Sequence, residues 1–153
     1  MKNEFQHLEH QTIRSIKRID LEENYEFYRP LSICLELESG VLKLSTINDG
    51  ISLDIRITNW EAIREDDGLV FGEYFLQNLN KEDSLGDLIG ERIKKLEIAK
   101  PKQEVIEGTN WISYNGRYAG VRIETDEHLM IYYNQFCSVD LLDDFPDKSW
   151  IVE

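Results

Sequence analysis

Apolar and polar positions alternate most cleanly between Leu31 and Ile57. Leu31, Ile33, Leu35 and Leu37 occupy every second position of one run, and Ile51, Leu53, Ile55 and Ile57 repeat the pattern, the period of strands wet on one face. A weaker third run, Leu42 and Leu44 around Lys43, lies between them. Ser39–Gly40 supplies one reversal and Asn48–Asp49–Gly50 a second, with a glycine free to take the positive φ of a short hairpin loop. The stretch predicts a three-stranded antiparallel meander entered at Pro30.

The chain also aligns with itself. Asn3 to Ile16 falls on Asp83 to Leu96 without a gap, with Phe5 on Leu85, Leu8 on Leu88, Ile13 on Ile93 and Ile16 on Leu96. Leu35 to Glu38 falls on Val121 to Glu124, Leu42 to Leu44 on Leu129 to Ile131, and Ile51 to Ile55 lies near Ser138 to Leu142. Each half then predicts a short helix, a strand and a meander. The first helix spans about Glu4 to Glu9 and its strand Thr12 to Leu21. In the second half Ser84 is the expected cap, with Asp87 three residues on, an apolar stripe of Leu85, Leu88 and Ile89, and Gly90 as the stop. A strand from Arg92 to Ala99 follows, closed by Pro101. The expected fold is α+β and strand-dominated: two tandem copies of a short-helix plus antiparallel β-meander unit. It forms a single domain over residues 1–153, with repeats at about 3–58 and 83–145 and an insert at 60–81. That insert and the loop-rich stretch Lys102 to Tyr118 have no evident counterpart.

Length and composition are consistent with this. At 153 residues one core can bury roughly two thirds of the unfolded surface, and 41% hydrophobic with 31% charged residues is a folding composition. No run approaches the length of a membrane span and the first residues carry no apolar signal core, so a cytoplasmic protein with no membrane partner is expected. Cys34 and Cys137 fit buried, reduced thiols. The formal charge of −13 is spread over both halves: eight basic and fifteen acidic side chains up to residue 80, nine and fifteen beyond it. Such a field disfavours nucleic acid and favours a basic protein partner.

Candidate chemistry is sparse. His7 and His10 flank Glu9 on the first helix, short of the ligand number zinc requires. His128 follows Asp126 and Glu127 at an expected hairpin tip. The pairs Asp66–Asp67 and Asp143–Asp144 leave a carboxylate-based hydrolase open by residue type, but no nucleophile elbow, phosphate loop, zinc-helix or calcium-loop motif is present. No cofactor, metal or catalytic residue is assigned. The more suggestive set is aromatic and acidic: Trp111, Tyr114, Tyr118, Tyr132, Tyr133 and Phe136 among Glu124, Asp126, Glu127, Asp140, Asp143 and Asp144. Aromatic side chains anchor interfaces and carboxylates meet Arg and Lys. The candidate partner-binding residues are therefore Trp111, Tyr114, Tyr132, Phe136, Asp126, Glu127, Asp143, Asp144, Asp66 and Asp67.

In size, acidity, lack of catalytic motifs and the strand pair of Leu88 to Leu96 with Gly120 to Thr125, the chain resembles the small acidic immunity proteins of bacterial polymorphic-toxin and contact-dependent inhibition systems. The resemblance implies a stoichiometric inhibitor, without turnover, of a cognate toxin that is often a basic nuclease. Two other classes stay open: a small acidic-residue or metal-dependent hydrolase, and a ligand-sensing module with a pocket between the halves. Exposed edge strands also leave a homodimer open.

Overall fold

The computed structural model describes residues 3–101, 104–107, 110–113 and 117–153. It is an α+β fold dominated by strands: two antiparallel five-stranded sheets, one separate hairpin and a few short helical turns. In the first half a 3-10 turn, Gln6–Leu8, precedes strand β1 (Ser15–Asp20) and the meander β2 (Ser32–Leu37), β3 (Gly40–Thr46) and β4 (Leu53–Thr58). Helices α1 (Trp60–Arg64) and α2 (Asp67–Val70) then lead to β5 (Phe75–Asn78). The second half runs from a 3-10 turn, Ser84–Leu88, to β6 (Ile93–Lys100), the hairpin β7 (Glu104–Glu107) and β8 (Asn110–Ser113), then β9 (Gly120–Thr125), β10 (Leu129–Tyr133), β11 (Phe136–Val139) and β12 (Ile151–Val152).

The sheet orders match. The first is β4-β3-β2-β1-β5 and the second β11-β10-β9-β6-β12. In each, a meander is followed by a segment that crosses the outer face of its own sheet and returns as an edge strand beside the first strand. In the first sheet, Trp60, Ile63, Leu69, Tyr74 and Leu76 pack over Ile19, Cys34 and Val41. In the second, Leu142, Phe145 and Trp150 pack over Ala99 and Ile131. The inner faces meet in one buried cluster holding Ile16, Ile33, Leu35, Leu42 and Leu44 with Leu96, Ile98, Ile123, Met130 and Tyr132. A bulge between Ile93 and Lys95 lets Ile93 and Leu96 both point inward although their spacing breaks the period of two.

Several expectations move. The predicted helices are 3-10 turns: Leu8 and Glu9 donate three residues back to the Phe5 and Gln6 carbonyls at 3.0 and 3.1 Å, and Gly86 and Ile89 to those of Asp83 and Gly86 at 3.0 and 3.2 Å. Asp83 Oδ1 accepts the Leu85 N–H at 3.0 Å. The cap is thus Asp83 rather than Ser84, and Ile89 is exposed outside the expected stripe. The weak run at Leu42 is a full strand, and β4 begins at Leu53 rather than Ile51. Asp49 Oδ1 accepts the N–H of Ile51 at 2.8 Å and of Ser52 at 2.7 Å, holding both in the turn. Gly50 there has φ +78°. Register revises the internal alignment as well. Leu35 lies opposite Ile16 and Ile123 opposite Leu96, so Leu35 matches Ile123 rather than Val121. Leu42 likewise matches Met130 rather than Leu129, since Met130 is the residue opposite Ile123. Along the last strand of each meander Ile55 lies opposite Leu44 and Cys137 opposite Tyr132, so Ile55 falls on Cys137.

Candidate functional site

The point of greatest chemical interest lies where β1 ends. Ile16 faces the core, so two residues on Arg18 does too, and it is fully buried. A buried guanidinium must find a partner for each of its five N–H groups. Here all five are used: Nε and Nη2 grip Asp20 in a two-pronged pair at 2.9 and 2.8 Å, and Nη1 reaches Asp83 at 2.9 Å. The remaining two donate to the carbonyls of Glu26 at 2.7 Å and Phe27 at 3.0 Å. The guanidinium also lies over the Tyr25 ring at 3.6 Å. Burial alone would lower its pKa, but the hydrogen bond and charge of Asp20, then of Asp83, raise it instead.

The effect is to hold the connection from Leu21 to Arg29. Tyr25 donates its hydroxyl to Asp83 at 2.9 Å and accepts the Asn80 N–H at 2.6 Å. Gln77 donates to the Glu22 carbonyl at 3.1 Å, and the Tyr28 carbonyl accepts the Cys137 N–H at 2.9 Å, so the loop reaches from the first sheet to the edge of the second. What it presents outward is Leu21, Glu22, Glu23, Asn24, Glu26, Tyr28 and Arg29, three carboxylates against one guanidinium. Beneath it is a cavity of about 290 Å³, lined by Asp20, Leu21, Glu22, Asn24, Tyr25, Glu26, Arg29 and Leu31, with Gln135 from the second half. Its ionisable lining comes only from residues 20–29. Beyond Tyr28 the rings continue: Phe136 stacks on Tyr28 at 6.2 Å and on Tyr133 at 5.1 Å, and Tyr133 meets Trp150 edge-on at 6.5 Å.

The residues expected from sequence scatter. Phe136 belongs to this ring series. Tyr132 does not reach any surface: it is wholly buried, its hydroxyl within 2.8 Å of Thr46 Oγ1 and donating to the Leu31 carbonyl at 3.1 Å, and burial pushes its pKa up. It faces the core because the register puts it opposite Cys137 and Val121. The Trp111 side chain and Tyr114 lie outside the described residues. Asp66 caps α2 through the Gly68 N–H at 2.9 Å and accepts the Tyr74 hydroxyl, a bond that depresses its own pKa and raises that of Tyr74 to about 12. Asp67 is exposed beside it. Asp144 accepts the Phe145 N–H at 2.8 Å and Lys148 Nζ at 2.9 Å, and the adjacent Asp143 is exposed.

Asp126 and Glu127 sit at the β9–β10 turn with His128. His128 Nδ1 is 2.5 Å from Asp140 Oδ2, a hydrogen bond that raises the histidine pKa, and Nε2 is 3.5 Å from Glu91 Oε2. Glu91, Glu127 and His128 are the group of metal-type ligands among the described residues, all within 4.8 Å of one another; His7 and His10 do not belong to it. Glu9 is occupied by the Leu96 N–H at 2.9 Å. Both cysteines are free and buried, and burial raises both thiols, Cys34 to about 12.

The loop 21–29 was not singled out by sequence reading, although its signal was present: acids alternating with aromatics between a strand and Pro30. No family model, curated protein or solved structure matches this chain. No helix among the described residues is long and apolar enough to cross a membrane.

Proposed function

We propose that this chain is a non-catalytic binding protein of the immunity type, which neutralises a cognate basic toxin domain by stoichiometric association in the bacterial cytoplasm. The observation that carries the reading is the loop 21–29: three exposed glutamates against one exposed arginine, with an exposed tyrosine. It is held from below by a buried arginine that donates two of its N–H groups to the Glu26 and Phe27 carbonyls and anchors the other three on Asp20 and Asp83. An ordered loop presenting carboxylates loses little entropy on binding and attracts a basic surface from a distance. The engaged carboxylates at Asp66 and Asp144 favour this over a hydrolase built on acidic pairs. The dyad-like match of the two sheets supports an origin by duplication of one helix-turn and meander unit, with the connection from first strand to meander built differently in the two copies: the loop 21–29 in one, the β7–β8 hairpin in the other.

The cavity beneath the loop favours a second reading, a ligand-sensing module, because Gln135 from the other half closes it. Measuring the association rate of the recovered partner against salt separates the two. Between about 0.05 and about 0.5 M salt the rate for a sterically open acidic surface falls by about tenfold or more. A flat rate contradicts the electrostatic capture proposed here, and binding of a small metabolite with no protein partner favours the second reading.

A further inference from the structure

Strands β1 and β5 are antiparallel with Asp20 opposite Phe75. The chain therefore leaves β1 into Leu21 at the same end of the sheet at which it enters β5 from Tyr74. Three large apolar side chains stand in solvent at this end: Leu21 and Val70, each 63% exposed, and Phe71, 77% exposed. Val70 and Phe71 form the tip between α2 and β5, and the tip is fixed. Glu73 donates its N–H to the Gly68 carbonyl at 2.8 Å, Asp66 holds both the Gly68 N–H and the Tyr74 hydroxyl, and Gly72 takes φ +75°. Gly68 lies so tightly under Tyr74 that a Cβ there would fall 2.1 Å from the ring.

The surroundings are acidic. Glu61, Glu65, Asp67 and Glu73 are exposed on the insert, and Glu22 and Glu23 on the neighbouring loop. The basic residues of the insert are Arg64, lying over Trp60 at 5.9 Å, and Lys81 at its far end, and the neighbouring loop adds Arg29, so the carboxylates outnumber them. An apolar tip inside an acidic collar is repelled by anionic lipid, by nucleic acid and by a second copy of a chain with charge −13. It complements an apolar pocket rimmed by Lys and Arg. We infer that this end of the first sheet is the docking face for the basic protein partner, with Phe71 as the anchor that enters that pocket. The inference rests on the binding role proposed above and adds where the partner sits.

Site-resolved photo-cross-linking in the native host tests it, with the full chain carrying Phe71→p-benzoylphenylalanine or, as control, Leu141→p-benzoylphenylalanine. Leu141 is 63% exposed on the segment covering the other sheet. The expected result is one discrete adduct with a basic protein at position 71, in at least about tenfold excess over position 141. Phe71→Ala should then weaken binding of the purified adduct partner by about tenfold or more, with an unchanged melting temperature. An adduct at 141 but not at 71, or an acidic partner at 71, overturns the docking face and leaves the binding role standing. No adduct at either position overturns both.

Discussion

His10 and Gly90 occupy equivalent places in the two halves, and each gives its backbone N–H to the other half: His10 to the Ile93 carbonyl at 2.6 Å, Gly90 to the Ile13 carbonyl at 2.7 Å. Both are left-handed, at φ +77° and +91°. Ile13 and Ile93 complete the exchange by donating to Glu91 and Gln11, around a bridge between Thr12 and Arg92. The two sheets are thus joined by a short backbone ladder with two-fold character.

The two positions should respond oppositely to substitution. Gly90→Ala places a Cβ in a conformation that L residues resist, with open space around it, so it should cost about 1 kcal/mol. His10→Gly relieves the same strain and should be neutral or stabilising by up to about 1 kcal/mol. Urea midpoints of the two variants check this.

Removing Arg18 should be far more damaging. Arg18→Met leaves Asp20 and Asp83 buried beside an apolar side chain and the Glu26 and Phe27 carbonyls without donors, a loss of about 3–5 kcal/mol. Arg18→Lys should also destabilise, because an ammonium cannot reproduce the two-pronged grip on Asp20. Equilibrium unfolding measures the loss, and faster amide exchange confined to residues 21–29 in a surviving variant would report release of the loop.

Stability should depend on pH through His128. Its pKa is raised in the folded state by Asp140, so its contribution is complete below the unfolded value of about 6.5 and is lost as pH rises through the folded value. Asp140 carries a lowered pKa because the His128 and Leu129 bonds outweigh its burial, so its own contribution is lost only as pH falls through the acidic range. Wild type should therefore lose stability relative to His128→Gln as pH rises above about 6.5, and an NMR titration should place His128 above that value. A titration at or below that value contradicts the geometry.

The two cysteines should be inert in the native protein. With Cys34 raised to about 12 and Cys137 raised by complete burial, a thiol reagent at pH 8 should modify neither until denaturant is added, and then both.

The first meander was legible because the residues between its inward positions are small or polar, Ser32, Cys34 and Glu36, even where the insert covers them, so period two survives in Ile33, Leu35 and Leu37. The second was ambiguous because the segment with Phe145 and Trp150 covers its outer face, making Leu129, Met130 and Ile131 apolar on both sides and hiding which residue points inward. That is how the match slipped by one at Met130. Tyr132 read as an interface ring because nothing local reveals that Thr46 and Leu31, far off in sequence, wait for its hydroxyl. At Tyr74 to Leu76 the sequence allows a short strand or a helix, and pairing with the distant β1 makes β5 a strand; β12, two residues long and paired with the distant β6, was invisible. Arg18 was accessible by parity alone, two residues beyond Ile16 on the inward face, and following it would have led to the loop it holds.

Titrating the recovered partner's activity with this chain tests the central claim most directly. Stoichiometric neutralisation predicts a linear fall that ends at one equivalent and reverses when the complex is dissociated by denaturant and the partner refolded alone. Complete loss at a small fraction of an equivalent would mean turnover, and activity unchanged at excess chain would mean no inhibition; either result contradicts the account.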